Sequence, residues 1–281
     1  MRNDVTKKLR NTLGLAALSV AVMSAAVAQD DGQEIEAADA AFQQWLRDLR
    51  VEAVARGISD ETLDTILPGI TPQRQVITAD RNQPEFVDTY ARYLERVSDW
   101  RIEKGRELLQ AEAAMITEAS RAHGVQPRFV LAITGMESNY GTFPIDQSLF
   151  NVVATLAYDG RRGTMFRNEL LAALEIVDRG YAEPAMMKSS WAGAMGVPQF
   201  TPSSYLRLAV DQDGDGRRNL WSMGPDVIGS VANYLASTGW RDDQTWGRVV
   251  SLPSGGEQSL PDLPGGGVTP DAVCRRYETL G

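Results

Sequence analysis

Apolar residues recur along this chain at helical intervals. Phe86, Tyr90, Tyr93, Leu94 and Val97 fall on a single helix face. A second helix is predicted from about Glu103 to Ala122, with Leu109, Met115 and Ile116 turned inward and Gly124 as its stop. Phe166, Leu170, Leu174 and Val177 mark a third, closed by Gly180. Val227, Ile228, Val231, Ala232 and Leu235 mark another, closed by Gly239. Each stripe reads as core. One further helix begins at Pro127, a residue suited to the first helical position because its missing N–H would have no partner there. From it Val130, Ile133 and Glu137 fall at i, i+3 and i+7, which puts a carboxylate on the face that should be buried. Burying a carboxylate costs several kcal/mol unless it is protonated or well hydrogen-bonded. Two readings stay open: Glu137 is held in a cleft for the sake of its proton, or the helix ends a turn early and Glu137 points into water.

The ends of the chain break the helical pattern. Arg2, Lys7, Lys8 and Arg10 precede a short apolar run, Leu13 to Met23, and Ala26-Val27-Ala28 gives a small-x-small cleavage pattern. Residues 1–28 are therefore expected to be a signal peptide and 29–41 a flexible N-terminus. The apolar run is below the roughly 20 residues of a spanning helix, and the one cysteine, Cys274, is far from any lipid-bearing position. A periplasmic protein, soluble after cleavage, is expected. After Trp240 the chain turns rich in Pro, Gly and Ser, with a possible strand at 248–252 and a short helix at 271–280. The fold class predicted is mainly α, with one catalytic domain over 42–247 and an irregular tail over 248–281.

Composition narrows the function classes. The formal net charge is −9, without the basic patch that a nucleic-acid partner requires. A single cysteine forbids an intramolecular disulfide, so the fold rests on its core.

Three segments carry candidate chemistry. In "TGMESNYG", Glu137 is a candidate general acid, because a carboxyl in an apolar pocket keeps its proton; such burial raises a Glu pKa to roughly 6 in lysozyme. In "SSWAGAMGVPQFTPSSYL" (189–206), small residues at Ala192, Gly193, Ala194 and Gly196 let backbone approach something closely. There Ser190 and Gln199 place hydrogen-bonding groups beside Trp191 and Phe200, as a sugar site would; tight loop packing would use the same small residues. In "DQDGDGRRN", Asp211, Asp213 and Asp215 take positions 1, 3 and 5 of an EF-hand-like loop, with Gly216 at 6 and Asn219 at 9. Ser222 stands at the twelfth position in place of Glu, and Asp226, four residues later, closes the site if the loop is longer than usual; an ordinary Asp-Gly turn is the alternative.

Taken in order, "DRNQPEF", "AITGMESNYG", "ATLAYDGRRGTMFRNELLAAL", "SWAGAMGVPQFTPSSYLRLAVDQDGDGRRNLW" and "DVIGSVANYLASTGW" resemble the lytic murein transglycosylase B family, from about Phe42 to Trp240. The resemblance implies a goose-type, lysozyme-like helical fold and an enzyme that cuts the β-1,4 bond between N-acetylmuramic acid and N-acetylglucosamine without water. One Glu, matched by Glu137, acts first as acid and then as base, and leaves a 1,6-anhydro ring. It further implies sugar contacts at Ser190, Gln199 and Tyr234, and paired arginines, Arg161 and Arg162, that meet either acidic peptide stems or carboxylates of the fold itself. Asp211, Asp213, Asp215 and Asp226 match a structural calcium loop, and no cofactor is needed for the chemistry. Peptidoglycan strands are the expected partner of a monomer, with other cell-wall enzymes beside them. Family members continue past the Gly-Trp pair with a tyrosine-asparagine pair that this chain lacks. A non-catalytic peptidoglycan-binding protein is therefore the alternative function, and a calcium-binding structural module a third.

Overall fold

The computed structural model describes residues 40–82 and 98–243. The expected signal peptide, the stripe over 86–97 and the expected strand and helix of the tail lie outside those residues. Helix α1 covers 40–55, α2 Asp60–Ile66, α3 Arg74–Arg81, α4 Asp99–Ala111, α5 Ala113–Ala122 and α6 Pro127–Ser138. A two-residue strand β1 (Gln147–Ser148) leads into α7 (Leu149–Asp159) and α8 (Gly163–Asp178). Strand β2 (Lys188–Ser189), α9 (Pro202–Leu208) and α10 (Pro225–Ser237) follow. All belong to one unit, Met1–Arg241; of the second unit, Asp242–Gly281, only 242–243 are described.

Local chemistry sets the helix starts. Ser59, Ser98, Ser148 and Thr201 each accept a backbone N–H three residues on, so α2, α4, α7 and α9 are capped by a side-chain oxygen. Proline stands at the start of α6, α9 and α10. Gly124, Gly180 and Gly239, expected as stops, all take left-handed backbone past a helix end.

Two apolar clusters divide the unit. The larger is built on α7, whose Leu149, Phe150, Val152, Val153 and Leu156 are buried around the whole helix, with α8 packed along it. A helix apolar on all sides belongs inside. Phe166, Leu170 and Leu174 of α8 complete that core, as their spacing predicts. The smaller cluster joins α5, α6 and α10 through Ile116, Val130, Leu131, Ile228 and Val231. Half-buried Met223 packs against both.

The helix expected over Glu103–Ala122 is two helices. It starts earlier, at Asp99 with Ser98 as its cap, and the chain bends at Glu112 (φ −114, ψ 28). No residue of α4 is buried, whereas α5 buries Ile116, Ala119 and Ser120. The halves meet different neighbours: α4 lies on α6, and α5 lies on both α6 and α10. With neither Pro nor Gly at the bend, the sequence carries no local mark of it.

Candidate active site

Glu137 occupies the last turn of α6, and the chain then reverses sharply. Asn139, Tyr140 and Gly141 are successive left-handed residues at φ 56, 60 and 80. Ser138 Oγ accepts the Gly141 N–H at 2.9 Å, and the Thr134 carbonyl accepts the Tyr140 N–H at 3.1 Å. The chain then runs into β1, which pairs antiparallel with β2 in the register Gln147↔Ser189 and Ser148↔Lys188. That pairing delivers Ser190, the next residue, to the side of the domain where α6 ends.

Beyond β2 the small-residue segment folds back on itself. Ser189 bridges to Met195, and Met195 to Phe200. Ser190 closes the turn from both its groups: its N–H donates to the Ala194 carbonyl at 2.9 Å, and its Oγ accepts the Ala194 N–H at 3.3 Å. Gln199 adopts φ 53, uncommon for a residue with a side chain, and its Nε2 donates to the Gly196 carbonyl at 2.8 Å. The glycines explain the close approach that the sequence implied. A Cβ on Gly196 would stand 2.2 Å from the Leu220 carbonyl oxygen, and one on Gly193 would stand 2.7 Å from Val153 Cγ1. These small residues pack the loop onto α7 and Leu220, while Ser190 and Gln199 stay half-buried at its surface. A Cβ on Gly141 would lie 3.0 Å from Val197 Cγ2, so the turn after Glu137 abuts this loop. Between them is a cavity of ≈ 260 Å³ lined by Phe143, Ile145, Met186, Lys188, Val197 and Trp221. Tyr234 on α10 is 40% exposed, its ring 5.8 Å from that of Phe200.

Glu137 itself is more open than its position on the helix suggested. Val130 on the same stripe is fully buried, Ile133 half-buried and Glu137 exposed. The stripe runs out of the core as α6 ends, so the carboxyl stands on a rim. Among the described residues it has no hydrogen bond or ion pair. The protein around it still removes hydration, and this desolvation raises its pKa above the usual carboxylate range.

Arg161 and Arg162 both pair with a buried carboxylate of the fold while their side chains stay partly exposed. Arg161 Nε donates to Asp80 Oδ2 at 2.6 Å and its Nη2 to the Asp80 carbonyl oxygen at 2.9 Å; Arg162 Nη2 donates to Asp80 Oδ1. Asp80 is 3% exposed, and the Arg161 hydrogen bond leads in holding its carboxyl below the usual range. Of the two roles the sequence left open, the structure favours ion pairing within the fold. In the sequence Asp80 stands out only as the start of "DRNQPEF", because nothing local announces a carboxylate that will be buried.

In the acidic loop, one oxygen each from Asp211, Asp213 and Asp226 lies within 4.8 Å of the others. Asp211 also accepts the N–H groups of Gly214, Asp215 and Gly216, which wraps the loop around its carboxylate. Asp226, in the first turn of α10, is buried and accepts from the Gln212 and Asn219 N–H groups at 2.7 Å each. Its pKa is raised, by burial first and then by the nearby Asp213 and Asp211. Asp215, expected as a ligand, does not join the cluster; its Oδ1 accepts the Arg217 N–H at 2.8 Å. Three hard oxygen donors, one of them buried beside like charges, fit a divalent cation of the calcium kind.

Sequence and shape both find relatives. The profile described as "Transglycosylase SLT domain" matches residues 41–267, and the chain belongs to that family. It is 37% identical over 171 residues to the membrane-bound lytic murein transglycosylase B of Escherichia coli K12, covering 58% of this chain and 47% of that protein. Among solved structures, SltB3 from Pseudomonas aeruginosa, crystallised with NAG-NAM-pentapeptide, superposes with a TM-score of 0.74 at 41% identity, over 78% of this chain and 59% of that one. Slt35 of Escherichia coli, solved in complex with calcium, gives 0.63 at 30% identity, over 73% and 64%. The chain thus spans about half the length of the curated relative and under two thirds of these structures. The mainly α, lysozyme-like fold expected from the sequence is the one found.

Proposed function

We propose that this protein is a lytic transglycosylase of the periplasm, acting on the β-1,4 bond between N-acetylmuramic acid and N-acetylglucosamine in peptidoglycan. The observation that carries the reading is Glu137, a carboxyl with no hydrogen bond or ion pair among the described residues and a raised pKa, at the turn that abuts the Ser190–Gln199 loop. A carboxyl that holds its proton toward neutral pH can give it to the leaving glycosidic oxygen. The carboxylate so formed then accepts the proton of the muramyl C6 hydroxyl as that oxygen closes on C1. One bond to C1 breaks, another forms, and no water is consumed. A single carboxyl suffices, whereas the two-carboxylate hydrolytic mechanism needs a partner at a set distance. Ser190, Gln199 and Tyr234 hold the sugars, with Phe143 and Trp221 offering aromatic faces at the neighbouring cavity. Arg161 and Arg162 serve Asp80 and the packing of α3, and their exposed sides are open to an acidic peptide stem.

In this reading Asp211, Asp213 and Asp226 hold a calcium ion that ties the acidic loop to the start of α10. The ion supplies rigidity, and no step of the reaction passes through it. Cleavage of glycan strands in ¹⁸O-labelled water tests the chemistry. Products free of label fit ring closure; label at the new end would make the enzyme a hydrolase.

A further inference from the structure

Glu137 has no described partner of its own, yet the turn that carries it is braced from α4 by one residue acting in two directions. The Arg101 Nε donates to Asn139 Oδ1 at 3.1 Å, and its Nη1 reaches Met136 Sδ at 3.7 Å, so its side chain grips residues on both sides of Glu137. Its backbone carbonyl accepts the Tyr140 hydroxyl at 2.8 Å. The phenol sits where α4 and α6 both lack a side chain. A Cβ on Gly105 would be 2.5 Å from the Tyr140 oxygen, and one on Gly135 would be 2.7 Å from it. Tyr140 is buried at 9% exposure, and both it and Asn139 hold left-handed backbone, which strains residues with a Cβ, Tyr140 more than Asn139. Such strain persists only where the surroundings over-determine it. Here those surroundings are the Arg101 contacts, the Ser138 and Thr134 hydrogen bonds, and the slot between the two glycines.

We infer that Arg101 and Tyr140 are positioning residues for Glu137, fixing the last turn of α6 so that one carboxyl can serve two successive atoms of the substrate. The inference rests on the assignment of Glu137 as acid and base. A lone carboxyl must meet first the glycosidic oxygen and then the C6 hydroxyl, so loss of its placement weakens both halves of the reaction. Misplacement by about 1 Å can cost on the order of a hundredfold in rate.

The test uses the full chain with ¹³C-labelled glutamate, the Glu137 carboxyl signal being assigned by its loss in Glu137→Gln. Tyr140→Phe keeps the ring and removes only its hydroxyl; Arg101→Ala removes the side-chain grip. Both are expected to move the Glu137 signal and to lower kcat on soluble glycan strands, by about tenfold for Arg101→Ala, with KM within about twofold. Glycan binding in the Glu137→Gln background should be unchanged by adding Arg101→Ala. A signal that stays in place in both variants overturns the brace whatever the rates do. A weakened KM with unchanged kcat overturns it as well. If the unaltered protein cleaves no glycan, the functional assignment fails, and the carboxyl signal still decides the brace.

Discussion

Glu137 combines an exposed position with a raised pKa, and the combination has a consequence for stability as well as for chemistry. Because folding raises this pKa, folding penalises the charged form. Well below the ordinary carboxylate range the side chain is protonated in both folded and unfolded chains, and no penalty applies. As pH rises through the ordinary Glu value toward the folded one, the unfolded chain ionises first and stability is lost. Glu137→Gln should therefore match the parent in acid and become the more stable of the two toward neutral pH, in urea unfolding run across pH, while losing activity. The direction of this effect was legible in the sequence, since i, i+3, i+7 spacing put Glu137 on the apolar stripe. Its extent was not. Whether the end of a stripe lies in the core or on a rim depends on where neighbouring helices stop, and the α6 stripe leaves the core within its last turn.

At the scale of elements, what holds the site together is mostly backbone contact and one buried charge. Gly196 takes φ 63 with the Leu220 carbonyl where a Cβ would go. Gly196→Ala should cost about 3 kcal/mol, read as a shift in the denaturation midpoint, because positive φ and a clash with backbone are imposed together. Asp80 joins α3 to the start of α8 through two arginines. Asp80→Asn should cost about 2 kcal/mol, less than the roughly 3–5 of a fully buried pair, because the guanidinium side chains are 48% and 37% exposed. Folding lowers the Asp80 pKa, so its contribution is full above the ordinary Asp range. It disappears as pH falls through the lowered folded value. A matched pair of melts, the parent and Asp80→Asn, should converge in acid. These ties also mark what sequence reading could reach. Periodicity found α8 and α10 with their glycine stops, because those helices are amphipathic and end at residues that permit left-handed backbone. It missed the bend at Glu112 and the Arg161–Asp80 contact, because both are set by partners remote in the chain.

Among the described residues, the two apolar clusters meet at Met223 and along α10, which gives Val227 to the larger and Ile228 and Val231 to the smaller, and the acidic loop leads into that helix. A cation held by Asp211, Asp213 and Asp226 would relieve repulsion at the buried Asp226 and fasten that helix. Calcium at about a hundred times its Kd should stabilise the fold by about 2.7 kcal/mol. The gain should vanish in Asp213→Ala and survive Asp215→Ala, whose carboxylate caps Arg217 instead. Equal melting temperatures with calcium and with chelator would mean that these carboxylates hold no ion. The motif spacing made this loop readable as a calcium site, but which carboxylates converge depended on how the loop wraps.

Cleavage of peptidoglycan by internal ring closure, driven from Glu137, would leave its mark on the ends of the glycan. Digestion of purified sacculi, with the soluble products weighed by mass spectrometry, tests it most directly. Muropeptides ending in 1,6-anhydro-N-acetylmuramic acid are expected, and none of them when Glu137→Gln is used. Soluble products with ordinary reducing ends, or binding to sacculi with nothing released, would contradict it.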